Sequence, residues 1–253
     1  VTEADGIYQP VFAVKGLAGA VYEITAAEDI ITPDGTLRYA AGEVVDTVTT
    51  DETGLAESKP LYLGKYEVRE ITAPTGYVLN TEVHTAELVY AGQEVEITET
   101  AADFCNERQK AAVSLDKVLE QDERFGIGMS GELSAVTFGL FAAEELTAAD
   151  GSIIPTDGLL EIVSVDENGH AVCKTDLPFG SYYLKELSTD GHYILSDEKY
   201  PIVFEYAGQD TALVEIKANG GAPIENKLLY GEIHGLKKDE DGSGLAGALI
   251  GLF

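Results

Sequence analysis

The chain has 253 residues, 45% of them hydrophobic, which is enough for two ordinary domains with a core each. Asp and Glu number 45 against 16 Lys and Arg, a formal net charge of −29, so the protein's field repels nucleic acid and anionic membrane surfaces. The carboxylates are scattered among apolar residues, which excludes a disordered acidic tail, and no apolar run is long enough to insert into a bilayer.

In chain order, the N-terminus carries neither Met nor a signal-peptide pattern and reads as part of a longer protein. Short runs of Val, Ile, Tyr, Thr and Leu with a period of two then follow, separated by turn signals such as Pro33-Asp34-Gly35 and Asp166-Glu167-Asn168-Gly169. Ala26-Ala27-Glu28-Asp29 reads as either one helical turn or a loop. Ala26-Ala27-Glu28 returns as Ala142-Ala143-Glu144, and Asp34-Gly35 as Asp150-Gly151, each 116 positions later. The same register aligns Leu61 to Glu70 with Leu177 to Glu186, Tyr77 with Tyr193, and Tyr90-Ala91-Gly92-Gln93 with Tyr206-Ala207-Gly208-Gln209. Near the C-terminus, Gly244 to Ala248 repeats Gly16 to Ala20, and Gly251-Leu252-Phe253 repeats Gly139-Leu140-Phe141. The expected organisation is therefore a first domain over 1–109, a second over 110–229, and over 230–253 the opening of a third. Several short strands in about 115 residues predict an all-β fold of tandem Ig-like β-sandwiches, since a lone sheet cannot bury its apolar face.

Period-two alternation puts Tyr66, Val68 and Glu70 on one face, as it does Tyr182, Leu184 and Glu186. Phe104 shares a face with Asn106, Ile224 with Asn226, Val113 and Leu115 with Lys117, and Ile233 and Gly235 with Lys237. Each of these polar residues alone reads as solvated or turn-capping. Their recurrence at matching places points elsewhere, because burying unpaired polar groups is costly.

Val113-Ser114-Leu115-Asp116-Lys117, the Leu-Ala-Gly-Ala lead into the next strand, Tyr66 to Glu70 followed by Ala73-Pro74-Thr75-Gly76-Tyr77, and a closing strand ending in Asn resemble the collagen-adhesin B-type (Cna B-type, prealbumin-like) domains of Gram-positive surface proteins and pilins. The resemblance implies a cell-wall stalk or adhesin segment, extracellular, with a spontaneous isopeptide bond. It assigns that bond to Lys117 and Asn226, with Glu186 assisting, and gives Glu70 the same part in the first domain. Burial lowers an amine's pKa and raises a carboxyl's, so a neutral nucleophile meets an amide polarised by a protonated acid. Proximity supplies the effective molarity, and ammonia leaves once.

Two departures follow from the motif. The second domain has Ser188-Thr189-Asp190-Gly191-His192-Tyr193 in place of the Ala-Pro-x-Gly-Tyr form, which reads as turn drift. In the first domain, Val1 to Asp5 resembles Val118 to Asp122, so the counterpart of Lys117 falls just before Val1, and Lys15 is a poor substitute. Asn106 and Lys237 are candidates for an incomplete or swapped pair, with residues 231–253 either packing on their own second domain or inserting into a neighbouring molecule.

The alternative function is a ligand-binding module for a glycan or host protein without a cross-link. Multiple-turnover catalysis is not expected, because His84, His170, His192 and His234 lack metal-ligand spacing and no Ser, His and Asp constellation recurs. No metal or other cofactor is expected; Asp239 to Ser243 resembles a calcium loop, but Ile250 stands where the bidentate Glu belongs. Leu177-Pro178-Phe179-Gly180 lacks the ending of a sorting signal, and Cys105 and Cys173 read as small buried residues.

Overall fold

The computed structural model describes residues 1–247, 249 and 251. The expected repeat at 251–253 and Ile250 thus lie outside the described residues, apart from Gly251.

Residues 21–88 form strands β3 (Val21–Ala26), β4 (Ile30–Ile31), β5 (Leu37–Tyr39), β6 (Val44–Thr49), β7 (Gly64–Thr72) and β8 (Val83–Leu88), preceded by β1 (Thr2–Ala4) and β2 (Ile7–Gln9). The first unit is an antiparallel sheet in the order β6-β3-β7-β8 with a small β4-β5 hairpin. The alternation along β3 and β7 buries Ile24, Ala26, Tyr66 and Glu70 on one face. Ala27 to Asp29, left open between helix and loop, is a loop.

The second unit opens with β9 (Lys110–Leu119) and continues through β10 (Thr137–Ala142), β11 (Leu146–Thr147), β12 (Ile153–Ile154), β13 (Leu159–Ser164), β14 (His170–Val172), β15 (Gly180–Ser188), β16 (Lys199–Phe204), β17 (Leu213–Lys217) and β18 (Ile224–Asn226). Its first sheet, β13-β10-β15-β16, repeats the strand order of the first unit. Its second sheet is built around β9, which pairs antiparallel with β14 and parallel with β17 and β18. Phe138, Leu140, Leu184, Ile202 and Phe204 from one sheet meet Val113, Leu115, Ala171 and Ile224 from the other, closing a two-layer core.

Two findings depart from the expected boundaries. Residues 1–9, assigned by sequence to the first domain, fold as a β1-β2 hairpin on the edge of the second unit, where Ile7 pairs with Leu159 and Gln9 Nε2 donates to the Leu160 carbonyl at 2.8 Å. Asp5 and Gly6, both at positive φ, make the tight turn, and β13 offers an otherwise unpaired edge. The first unit also has no second sheet among the described residues: Gly54 to Ala56 and Val95 to Ile97, which match β14 and β17 in sequence, are not strands. The reason is topological. In the second unit β14, β17 and β18 all hydrogen-bond to β9, and residues 13–107 contain no equivalent of β9.

Candidate functional site

Lys117 lies on the inward face of β9 behind Val113 and Leu115, and its side chain is completely buried. Asn226 ends β18, which runs beside β9 with Ile224 opposite Lys117. Glu186 comes from the other sheet, on β15 behind Leu184, and is also completely buried. Phe138 on β10 pairs with Glu186, and the register shifts immediately beside it, between Thr137 and Phe138. The first unit has the same irregularity beside the Tyr22–Glu70 pair. Bulges re-aim a side chain locally, and here both sit next to the inward glutamate.

The three side chains converge. Lys117 Nζ donates to Asn226 Oδ1 at 2.8 Å and to the carbonyls of Val118 and Ile224 at 3.1 Å. Asn226 Nδ2 donates to the Glu186 oxygens at 2.9 and 3.0 Å, and Glu186 Oε1 is 3.8 Å from Lys117 Nζ. Sequence reasoning expected the acid against the amide oxygen; instead the amide nitrogen faces Glu186 and the oxygen faces Lys117. This follows from hydrogen-bond polarity, since the amino group and the amide NH₂ both donate while a carboxylate only accepts. Burial pushes the Lys117 ammonium down from 10.5 to about 8, against the opposing pull of Glu186 and Glu225.

Two further contributors were not anticipated. Thr189 Oγ1 accepts from Asn226 Nδ2 at 2.9 Å, and the Ser196 backbone N–H donates to Glu186 Oε2 at 3.0 Å. Thr189 stands in the segment read as turn drift, where the first unit has Ala73, so that departure was itself the available signal.

The first unit brings two of its candidates together. Asn106 Nδ2 donates to Glu70 Oε2 at 2.7 Å and to the Val78 carbonyl at 2.9 Å, and the Asn80 N–H donates to Glu70 Oε2 at 2.7 Å, as Ser196 does to Glu186. Glu70 Oε1 is buried and, among the described residues, has no hydrogen-bond donor. Lys15 and Lys237 are both exposed, and neither reaches it.

The histidines are exposed or half-buried, and His170, His192 and His234 each lie beside a carboxylate. No three His, Cys, Asp or Glu residues group to hold a metal among the described residues. Asp239 Oδ1 accepts from the backbone of Asp241 and Ser243, forming a tight turn. Cys173 is half-buried, its thiol pushed up to about 12 by burial, but Cys105 is exposed, contrary to expectation, because it alternates with the inward-facing Phe104 and Asn106.

The chain is 32% identical over 80 residues to the trypsin-resistant surface T6 protein of Streptococcus pyogenes, a match covering 31% of this chain and 15% of that protein. Among solved structures, the Bacillus anthracis TIE protein aligns with a TM-score of 0.49 and 21% identity, over 92% of this chain and 38% of that one. The minor pilin GBS52 of Streptococcus agalactiae aligns with a TM-score of 0.34 and 17% identity, over 93% and 96%. Residues 13–101 match the model of the SpaA prealbumin-like fold domain, so that segment of the chain carries a prealbumin-like fold.

Proposed function

We propose that this chain is a structural segment of a Gram-positive cell-surface stalk or adhesin of the pilin kind, with tandem units meeting at residues 109–110, and that its second unit locks itself by an isopeptide bond between Lys117 and Asn226. The observation that carries the reading is a buried amine 2.8 Å from a buried carboxamide, with one carboxylate contacting the amide nitrogen and lying 3.8 Å from the amine.

The step balances within these three side chains. Neutral Lys117 Nζ adds to Asn226 Cγ, the Cγ–Nδ2 bond breaks, and the proton lost by Nζ passes through Glu186 to Nδ2, which leaves as ammonia. Oriented reactants in a dry site stand in for a second substrate, and one turnover completes the reaction. The partners are 109 residues apart in sequence. By analogy with a disulfide across such a loop, the bond stabilises by about 4 to 5 kcal/mol, and no reductant opens it. A stalk under tension benefits from that, and the strongly acidic surface keeps it hydrated.

Intact-mass measurement tests the proposal. The purified protein should be lighter than its sequence by one ammonia, with a Lys117–Asn226 cross-linked peptide in the digest, and Glu186→Gln should restore the full mass. A wild-type mass equal to that of the sequence overturns the reading.

A further inference from the structure

Where β15 passes the site it carries one residue more than its neighbour β10. Phe138 pairs with Glu186 and Thr137 with Ser188, so Leu187 is skipped in the register. In a regular strand positions 186 and 189 point to opposite faces, but one extra residue between them restores the parity and brings the Thr189 hydroxyl to Asn226, beside Glu186. Ser188 fixes this end of the strand: its Oγ donates to the Ala135 carbonyl at 2.8 Å and lies 2.7 Å from Thr137 Oγ1. The first unit has the same shift, with Ile71 skipped between Glu70 and Thr72, and Ala73, at the position of Thr189, is buried.

The hydroxyl is not needed to shape the chain there. The Tyr77 N–H donates to the Pro74 carbonyl at 3.0 Å and the Tyr193 N–H to the Asp190 carbonyl at 3.0 Å, so the following turn closes alike after alanine or threonine. What the hydroxyl touches is the leaving nitrogen of the cross-linking reaction. Asn226 Nδ2 donates to Thr189 Oγ1 at 2.9 Å and to the Glu186 oxygens at 2.9 and 3.0 Å, which leaves the amide oxygen to Lys117 Nζ, 2.8 Å away. In the first unit Asn106 Nδ2 donates instead to the Val78 carbonyl at 2.9 Å. A carbonyl only accepts, whereas a hydroxyl accepts and donates and can rotate between the two.

We propose that Thr189 is a catalytic residue of the second unit's cross-linking reaction: it holds the Asn226 amide with its oxygen towards Lys117, then reverses its hydrogen bond to hold Nδ2 as that nitrogen leaves. This assignment rests on the Lys117–Asn226 reading. A planar amide nitrogen donates and does not accept. When Lys117 Nζ adds to Asn226 Cγ the conjugation ends, Nδ2 gains a lone pair, and the Thr189 O–H turns to donate to it. That hydrogen bond arises only as the carbon becomes tetrahedral, so it favours the transition state over the ground state. Glu186 still carries the proton from Nζ to Nδ2, the Cγ–Nδ2 bond breaks, ammonia leaves, and Thr189 ends with the proton it began with.

The full chain, isolated unfolded and then refolded, tests this through the rate at which it loses ammonia, followed by intact mass. Thr189→Val, close in size and without the hydroxyl, should lose ammonia about tenfold more slowly than wild type, the worth of about one hydrogen bond in the transition state. Thr189→Ala, which puts the first unit's residue in the same turn, should be slowed alike, and Thr189→Ser should restore the wild-type rate. The slowing should be equal at pH 6 and pH 8, because a hydroxyl does not titrate there. A site merely loosened would let water reach Lys117 and shift the pH profile instead. Wild-type rates in Thr189→Val and Thr189→Ala, a Thr189→Ser protein slowed as much as they are, or a shifted pH profile overturns the assignment and leaves the bond in place. A wild-type protein that loses no ammonia overturns the bond and the assignment together.

Discussion

Lys117 is an amine placed where its charge is disfavoured, and that placement governs both reactivity and stability. With the ammonium pushed down to about 8, the neutral fraction rises about tenfold per pH unit below that value and levels off above it. Protein isolated unfolded and then refolded should therefore cross-link about fifty times faster at pH 8 than at pH 6, followed by the loss of ammonia in the mass spectrum. The sign for stability is opposite to that of a favourable ion pair. A lysine whose folded pKa lies below its unfolded 10.5 costs stability in full below pH 8, and the cost fades as pH rises towards 10.5. Asn226→Ala, which cannot react, should gain about 3 kcal/mol relative to wild type over that interval in denaturant titrations, because the proposed cross-link leaves the wild-type lysine an amide with no proton to lose. A flat difference between the two would contradict the depressed pKa.

At the scale of elements, the reactive lysine depends on a glycine across the ladder. Gly169 has φ +82°, and a Cβ there would lie 2.1 Å from the Lys117 carbonyl oxygen, beside the 2.6 Å hydrogen bond from the Lys117 N–H to the Gly169 carbonyl. Gly169→Ala therefore has to push β14 away from β9 or abandon its turn, and the cross-linked fraction after refolding should fall several-fold. Gly151→Ala is the control: its φ is +81°, but nothing lies within 4 Å, so it should cost about 1 kcal/mol and leave cross-linking unchanged. Equal effects would mean that the turn conformation alone matters.

Across the whole molecule, the two units meet through the repeated Tyr-Ala-Gly-Gln segment. Gln209 Oε1 accepts from the Ala73 N–H and its carbonyl from Leu79, while Tyr206 donates to the Tyr77 carbonyl. Gln109, buried between the units, donates to the carbonyls of Gly208 and Thr211 and accepts from Ala207. Arg108 contacts Asp176 and lies 3.2 Å over the Phe12 ring. Gln109→Ala removes the partner of three part-buried or exposed backbone groups at about 1 kcal/mol, and calorimetry should then resolve separate transitions for the two units. Merged transitions in that variant would mean that the remaining contacts suffice for coupling.

The face of the candidate residues was legible from sequence, because period two puts Lys117, Glu186 and Asn226 in apolar rows whatever surrounds them, while their grouping as one site came from the family resemblance. The repeat likewise exposed the matching pair Glu70 and Asn106. Other features depended on which strand finds which edge. The β1-β2 hairpin joined the second unit because an edge was open there, and no local pattern encodes that choice. Thr189 enters the site only once β15 and β18 are brought together across the sandwich, and the orientation of the Asn226 amide follows from donors and acceptors that meet there. The composition of the candidate centre is thus a local property of alternating strands, while its grouping, three side chains in the second unit and two in the first among the described residues, is decided by which strands meet across the two sheets.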